Sequence, residues 1–275
     1  MTVIERRGLE VIRRALGDRR ANRIAHLYRD RMQPAAEAIS YGFDARGRRS
    51  RRRLEQLRDR YVGERCFIIG NGPSLVRTDL TRLRDEFTFG LNRGYLLFDR
   101  IGAPTSFLVA VNRHVVTQFG ADLVAAPSTL FASWRSRRWL PRDAGVTFVR
   151  RSRPFTFSSN LASGGAWEGA TVTYVAMQLA FHLGFREVIL VGVDHSFSTI
   201  GPANHLVTAT EPDPNHFDPS YFGPGVTWQL PDLQTSEIAY RLARDRFDAA
   251  GRRISDATVD GHLAVFPKVR LESIT

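Results

Sequence analysis

A buried strand that runs directly into a glycine-rich turn is the feature that most constrains the fold of this chain. Residues 66–69 (Cys-Phe-Ile-Ile) suit a buried strand, and the run Gly-Asn-Gly-Pro-Ser follows at once as residues 70–74. Glycine makes a sharp turn sterically possible, and small side chains leave backbone N–H groups open to an anion. The pattern is typical of a strand and turn at the ligand-binding edge of an α/β sheet.

Two more predicted strands end in asparagine. Residues 87–91 lead to Asn92, and residues 106–111 lead to Asn112, while Asn71 lies in the first turn. The carboxyl ends of parallel strands meet at one edge of an open sheet, where ligands bind. We therefore expect three amides at that edge, although each Asn taken alone is as well explained as a turn residue or a helix cap.

Strands and helices alternate over residues 62–260. The predicted strands are 66–69, 88–91, 107–111, 129–132, 147–149, 187–193 and 253–257. The predicted helices are 79–84, 94–100, 114–119, 171–183 and 235–249. Such alternation predicts an α/β fold, a Rossmann-like and mostly parallel sheet with helices on both faces.

The first 61 residues are predicted to form a basic helical arm, ahead of a Rossmann-like nucleotide-binding transferase domain at residues 62–275. Residues 1–60 contain 17 Arg against 8 Asp or Glu, and so carry most of the net charge of +11. Apolar residues at helical spacing predict helices over 2–28 and 54–61. The arm either lies on anionic lipid or nucleic acid, or packs as an amphipathic pair, and the second interpretation is favoured. No basic and aromatic platform elsewhere indicates nucleic-acid binding.

Residues 196–231 interrupt the alternation with a long segment rich in proline and glycine. Loops of this length in a compact enzyme are usually lids or binding loops, or are disordered. Five aromatic residues favour an ordered lid: Phe197, Phe217, Tyr221, Phe222 and Trp228.

Composition indicates an intracellular protein. The single cysteine, Cys66, excludes an internal disulfide and suits a core position. No segment has the length of a membrane span or the apolar core of a signal peptide. We expect a cytoplasmic location, with peripheral contact at the inner membrane face through the arm.

Several common catalytic signatures are missing from the sequence. It has no P-loop, no Gly-x-Gly-x-x-Gly turn, no zinc-type Cys or His cluster and no Gly-x-Ser-x-Gly elbow. The polar candidates that remain are amides and hydroxyls, which can bind a nucleoside phosphate. Thr171 and Thr173 lie at the start of a predicted helix, where they could contact the phosphate. The candidates from this pattern are Gly70, Asn71, Gly72, Ser74, Asn92, Asn112, Thr171 and Thr173.

These motifs resemble the domain family named after archaeal 6-hydroxymethylpterin pyrophosphokinase. They are also similar to bacterial lipooligosaccharide sialyltransferases and motility-associated flagellin glycosyltransferases. The resemblance covers residues 62–260 and rests on Gly-Asn-Gly-Pro-Ser-Leu at 70–75, Asn92, Leu-Gly-Phe at 183–185 and Gly-Val-Asp at 192–194.

The resemblance implies that Asn71 and Asn92 match the residues that hold the nucleotide of CMP-sialic acid in the sialyltransferases. Asn112 matches an Asn that follows the third strand in those enzymes. Those enzymes need no metal, and their general base is a lid histidine preceded by tyrosines that bind the leaving phosphate. The lid of this chain departs from that pattern, with Pro224 where the histidine is expected. Tyr221 lies nearby and joins the nucleotide-binding candidates.

Histidines and aspartates around the lid are the candidates for chemistry. His216 is the predicted general base, with His205 and His195 as alternatives. Asp194, at the end of the predicted strand 187–193, is the strongest acidic candidate, against a turn-capping role. Asp194 with Asp213 or Asp218 could instead hold Mg²⁺ against a diphosphate.

The resulting hypothesis is a nucleotide-sugar-dependent glycosyltransferase, sialyltransferase-like and using a CMP-sugar donor, that acts on a cell-surface glycan or its precursor without a cofactor. One alternative is a pyrophosphokinase-like phosphotransferase that uses ATP and Mg²⁺ on a pterin-like small molecule. A second alternative is a catalytically inactive nucleotide-binding subunit. Homo-oligomerisation stays open.

Overall fold

A seven-stranded parallel sheet forms the centre of the protein in a computed structural model that describes residues 32–199 and 201–275. Its strands are β1 (Arg65–Ile69), β2 (Thr88–Leu91), β3 (Phe107–Ala110), β4 (Thr129–Ser133), β5 (Thr147–Val149), β6 (Glu187–Val191) and β9 (Arg253–Asp256). Every strand pair in this sheet is parallel, which confirms the predicted α/β class. The segment predicted as a lid contains an antiparallel hairpin of β7 (Leu206–Thr208) and β8 (Thr227–Gln229).

The helices alternate with these strands. They are α1 (Gln33–Phe43), α2 (Ala45–Leu57), α3 (Phe98–Ile101), α4 (Arg113–Ala125), α5 (Leu161–Gly164), α6 (Val172–Leu183) and α7 (Leu233–Asp248). Short 3₁₀ turns cover Pro73–Arg77, Leu80–Leu83, Gly94–Leu97, Trp134–Trp139 and Leu271–Ser273. In residues 32–199 and 201–275, no helix is long and apolar enough to cross a lipid bilayer.

Strand order places the ligand-binding edge. The order is β5-β4-β3-β2-β1-β6-β9, so the chain moves outward from β1 to β5 and then returns to the other side of β1. Connections leave β1 and β6 in opposite directions, and open α/β sheets bind ligands at such a switch point, beyond the carboxyl ends of the strands. We call the turns after β1, β2 and β6 (residues 70–74, 92–93 and 192–196) the rim.

Two hydrophobic layers cover the faces of the sheet. Cys66 and Ile68 of β1 pack in the layer that contains α6 and α7, while Phe67 and Ile69 pack in the opposite layer with the aromatic residues of the lid. This alternation follows from the two-residue period of a strand. Burial raises the pKa of the Cys66 thiol well above its usual value, as expected for a core residue.

The described part of the arm packs against the edge strand β5. Ser50 of α2 accepts a hydrogen bond from the Phe148 N–H at 2.9 Å, and the Tyr41 hydroxyl of α1 donates to the Phe148 carbonyl at 3.0 Å. These side chains satisfy backbone groups that an edge strand would otherwise expose. The helix predicted over 2–28 lies outside the described residues.

Three predicted helix bounds are wrong. The prediction placed a helix over 54–61, whereas α2 begins at Ala45, includes the arginine run and ends at Leu57. Helix α4 runs to Ala125 instead of ending at residue 119. Phe119 has non-helical backbone angles, and the helix resumes beyond it.

Candidate functional site

The turn after β1 lies directly against the turn after β6. Gly70 N–H donates to the Val191 carbonyl at 2.7 Å, and Gly72 N–H donates to the Gly192 carbonyl at 3.0 Å. A Cβ atom on Gly72 would lie 1.8 Å from an Asp194 carboxylate oxygen, and one on Gly70 would lie 2.1 Å from the Gly192 carbonyl oxygen. Close backbone approach therefore requires glycine at both positions.

Asp194 binds the first turn of the rim. The Ser74 N–H donates to its Oδ1 at 3.0 Å, and the Ser74 hydroxyl donates to its Oδ2 at 2.7 Å. Ser74 is only 2% exposed, so this contact is largely shielded from water. The structure thus gives the carboxylate a defined role in joining the ends of β1 and β6.

Asn71 and Asn92 each hold a buried amide oxygen without a partner among the described residues. The Asn71 amide nitrogen donates to the Leu91 carbonyl at 3.1 Å, so its side chain crosses from the end of β1 to the end of β2. Only the NH₂ group can donate to a carbonyl, which leaves the Asn71 oxygen free to accept. Asn92 has φ of 50°, a left-handed conformation that Asn tolerates better than most residues.

The remaining candidates from the sequence act as caps or lie in the helix. Asn112 accepts from the His114 N–H at 2.8 Å and so caps α4. Thr171 accepts from the Thr173 N–H at 3.3 Å and caps α6, and Thr173 itself is buried. In the described part of the chain, no hydrogen bond joins these three side chains to Asn71 or Asn92.

Part of the predicted lid lies on the rim. The Phe217 N–H donates to the Asn71 carbonyl at 2.9 Å. The Arg93 guanidinium donates to the Ser220 carbonyl at 2.7 Å and also to the Tyr221 carbonyl. It lies 4.0 Å from the centre of the Phe119 ring. Arg93 therefore fixes this part of the lid beside the end of β2 and against α4.

This lid carries a histidine paired with a buried carboxylate. The Nδ1 atom of His216 lies 2.6 Å from an oxygen of Asp213, which is 7% exposed. The same carboxylate accepts from the N–H groups of Asn215 at 2.8 Å and Phe222 at 3.1 Å. Asp213 is thereby fixed, and its pairing directs the other ring nitrogen, Nε2, away from the carboxylate.

Tyr221 joins this pair to the rim. Its ring stacks on that of His216 with centres 4.1 Å apart. Its buried hydroxyl accepts from the Arg93 N–H at 3.4 Å and also interacts with the Asn92 side chain. Desolvation raises the pKa of Tyr221, so the hydroxyl stays protonated and can still donate one hydrogen bond.

The other two candidate histidines have different surroundings from His216. His195, in the turn after β6, has φ of 54°, and its Nε2 atom lies 3.3 Å from a Glu237 oxygen. Its ring centre is 6.0 Å from that of Tyr240 in α7. His205 is exposed, in the turn that leads into β7.

Two residues that contact the candidates were not predicted from the sequence: Arg93, which bonds to the lid, and Glu237, which lies beside His195. Arg93 directly follows Asn92, so its position beside the rim was available from the sequence. Glu237 lies 42 residues from His195, in a different element, and no local pattern indicates their contact.

The acidic residues, as arranged, do not fit a magnesium site. Both oxygens of Asp194 are engaged by Ser74, and Asp213 is engaged by His216 and two N–H groups. Asp218 accepts from the Ser220 N–H at 2.7 Å and caps the lid turn. Across the described ranges, no three His, Cys, Asp or Glu side chains group closely enough to hold a metal ion.

A depression of about 470 Å³ lies at the opposite edge of the sheet, near the amino ends of β3 and β4. Its lining includes Thr105 and Ser128, whose hydroxyls lie 3.3 Å apart, and Arg53, which donates to the Gly145 carbonyl. It is separate from the rim.

No protein-family model matches the chain, and no curated protein matches its sequence. Six chains of solved structure do match. The Maf glycosyltransferase from Magnetospirillum magneticum AMB-1 is 18% identical with a TM-score of 0.46, and the match covers 82% of this chain and 38% of that one. The sialyltransferase CstII from Campylobacter jejuni, solved with cytidine-5′-monophosphate, is 13% identical with a TM-score of 0.41, over 76% of this chain and 85% of that one.

The chain thus spans well under half the length of the Maf glycosyltransferase. At these identities and TM-scores, the likeness bears on neither the donor nor the acceptor of this protein. Any function must therefore be argued from its own residues.

Proposed function

We propose that this protein is a nucleotide-sugar-dependent glycosyltransferase whose donor binds at the rim. The observation that carries the proposal is the pair of unpartnered, buried amide oxygens of Asn71 and Asn92 at adjacent strand ends. Buried acceptors without a partner cost about 1–3 kcal/mol each, so they are rare in native proteins unless a ligand or water satisfies them. The ribose hydroxyls and the amino group of cytosine are donors that suit two amide oxygens.

The lid supplies a general base for the transfer. With Nδ1–H donated to Asp213, the His216 Nε2 atom can take the proton of an acceptor hydroxyl as that oxygen attacks the anomeric carbon. The new bond joins the acceptor oxygen to the sugar, and the bond from the sugar to the nucleotide phosphate breaks. The phosphate leaves with the electron pair, while Asp213 stabilises the imidazolium that forms.

The finer proposal is a CMP-sugar donor and a cell-surface glycan or glycan precursor as acceptor. The base follows from chemistry, because cytosine presents an amino group to an amide acceptor whereas the corresponding group of uracil is a carbonyl. The acceptor class rests on the resemblance of the motifs alone.

Nucleotide binding is tested by thermal shift of the full chain with CMP, UDP, GDP and ATP, each with and without Mg²⁺. We expect CMP to raise the unfolding temperature equally with and without the metal, because the proposed ligand-binding groups of the rim, the Asn71 and Asn92 side chains, are uncharged amides. A response to ATP only in the presence of Mg²⁺ would favour the phosphotransferase alternative and overturn this proposal.

Variants then place the site. Asn71→Ala should weaken CMP binding about 5–100-fold, because it removes one acceptor from a desolvated ligand. Asn160→Ala is the matched control, since Asn160 caps α5 by accepting from the Ala162 N–H and lies in another part of the chain. Equal loss of affinity in both variants, or in neither, would count against the rim as the binding site.

Catalysis by the lid is tested separately. His216→Gln should lower turnover of a CMP-sugar donor about 10²–10⁴-fold with little change in donor affinity. His205→Gln, which alters an exposed histidine of the same segment, should leave turnover unchanged. Nucleotide binding with no detectable turnover of any tested donor would indicate the inactive-subunit alternative.

A further inference from the structure

Helix α1 exposes an uninterrupted apolar stripe. Its most exposed large side chains are Phe43 at 81%, Ile39 at 62% and Met32, the residue before the helix, at 57%. The exposed positions follow a helical spacing and are Met32, Ala35, Ala36, Ile39, Gly42 and Phe43. The one charged residue of α1, Glu37, faces inward, where it accepts from the Arg151 N–H at 2.6 Å.

The next helix exposes a dense positive charge. The exposed arginines of α2 are Arg48, Arg49, Arg51, Arg52 and Arg53. Arg51 pairs with Glu55 at 3.8 Å, and Arg48 donates to the Phe43 carbonyl, which brings this side chain to the end of the apolar stripe. Within residues 32–199 and 201–275, Arg49 and Arg52 form no ion pair.

We infer that this α1–α2 surface, formed by the apolar stripe of α1 and the exposed arginines of α2, binds an anionic lipid membrane. Apolar side chains beside a row of arginines are the two elements of an interfacial helix. The apolar groups enter the headgroup region, while the guanidinium groups meet anionic headgroups at its surface. Contiguous exposed apolar patches mark interaction sites with a protein or a membrane, and the adjoining arginines favour an anionic membrane.

Charge argues against the other occupants of this surface. A second copy of the chain would bring the same arginine row toward this one across a two-fold interface. Residues 1–31, where an amphipathic helix over 2–28 is predicted, contain nine Arg against four Asp or Glu, so charge repulsion opposes their packing beside the arginine row. Nucleic acid would match the charge but offers no apolar layer for Phe43 and Ile39.

The contacts of α1 show where the α1–α2 surface lies on the sheet. The Trp134 indole N–H, just after β4, donates to the Ser40 hydroxyl at 2.9 Å, and Tyr41 bonds to Phe148 within β5, so α1 is held at the β4–β5 side of the sheet. The rim lies at the carboxyl ends of β1, β2 and β6 in the same sheet. If the proposed function holds, membrane docking brings the protein to an acceptor carried by lipid; the docking itself does not depend on that function.

Flotation of the full chain with lipid vesicles tests the inference. We expect binding to vesicles of phosphatidylglycerol and phosphatidylcholine but not to phosphatidylcholine alone, and weaker binding at high salt. Arg49→Glu/Arg52→Glu should lower the apparent affinity about 30-fold or more, because each basic residue near an anionic surface contributes about a factor of five. Phe43→Ser should also weaken binding.

Matched controls separate this surface from general basicity. Arg84→Glu/Arg270→Glu makes the same change in net charge at exposed positions in other parts of the chain, and Val76→Ser removes an exposed apolar side chain elsewhere. Both should bind as the parent does. The inference is wrong if the parent stays unbound to anionic vesicles, or if the control pair loses as much affinity as the α2 pair. A dimer in solution that Ile39→Arg dissociates would also overturn it, by showing a second copy on the stripe.

Discussion

The contact between Ser74 and Asp194 should contribute measurably to stability. Ser74→Ala removes the hydroxyl bond to the carboxylate, and Asp194→Ala removes that bond together with the one from the Ser74 N–H. Hydrogen bonds to charged groups contribute about 1.5–3 kcal/mol, and the partial exposure of Asp194 favours the lower end. We expect losses in the free energy of unfolding of about 1.5 kcal/mol for Ser74→Ala and about 3 kcal/mol for Asp194→Ala.

A double-mutant cycle measured by urea unfolding isolates this contact. In the Asp194→Ala background, Ser74→Ala has no carboxylate left to lose, so its added cost should fall to about 0.5 kcal/mol or less. The coupling energy is then about 1 kcal/mol or more, and is read from the shift in midpoint at an unchanged m-value. Additive losses would refute the reasoning, because they would mean that the two side chains do not depend on each other.

The same variants test whether Asp194 acts on substrate. The isosteric Asp194→Asn keeps one oxygen and a group to which the Ser74 hydroxyl can reorient, so its stability should lie between those of the parent and Asp194→Ala. If Asp194 is a structural tie, turnover per folded molecule changes little in Asp194→Asn. A drop in turnover of about 10²-fold or more with unchanged stability would instead place it in the chemistry.

Three further perturbations have defined outcomes. Burial lowers the pKa of His182 in the folded protein, so on acidification the unfolded state takes up the proton first. The stabilisation is complete above about pH 6.5 and falls below it by up to about 1.4 kcal/mol per pH unit. His182→Gln should flatten that slope in urea unfolding. Ser50→Ala leaves the buried Phe148 N–H without its acceptor and should lower the free energy of unfolding by about 1–3 kcal/mol, whereas an unchanged midpoint would contradict the edge contact. Arg93→Ala should speed chymotrypsin cleavage in residues 213–222 without lowering the unfolding temperature of the whole chain, and an unchanged cleavage rate would contradict its role in holding the lid.

Most of the sheet could be predicted because the strands other than β9 (Arg-Ile-Ser-Asp) are mainly apolar on both faces. Runs such as residues 187–193 read as buried parallel strands without any alternation, and each was found within two residues of its predicted bounds. The order of elements then fixed a common edge for the strand ends. Placement of Asn71 and Asn92 at neighbouring strand ends follows from the sequence in this way.

Other features depend on contacts that no local pattern reports. The helical nature of the arginine run was missed because two of the buried positions in α2 are Gly47 and Ser50, which carry no hydrophobic signal. The β7–β8 hairpin was missed because each strand has three residues and they pair across a long loop. The Asp213–His216 pair was within reach, at a spacing of three residues, but its packing on Tyr221 was not.

The residues of the first turn of the rim have two different roles, and the role of each residue decides whether its substitution can report on ligand binding. Gly70, Gly72 and Ser74 serve the turn after β6, since a Cβ atom would collide there and the serine binds Asp194. The amide oxygen of Asn71 is the side-chain atom of the turn that the fold leaves without a partner in the described residues. Changes at the glycines or at Ser74 should therefore lower stability before they lower affinity. Asn71 also bonds to the Leu91 carbonyl, and Asn92 has a left-handed φ of 50°, so changes there cost some stability as well. A loss of nucleotide binding larger than the loss of stability is expected from Asn71 and Asn92, and a search for ligand contacts should begin with those two residues.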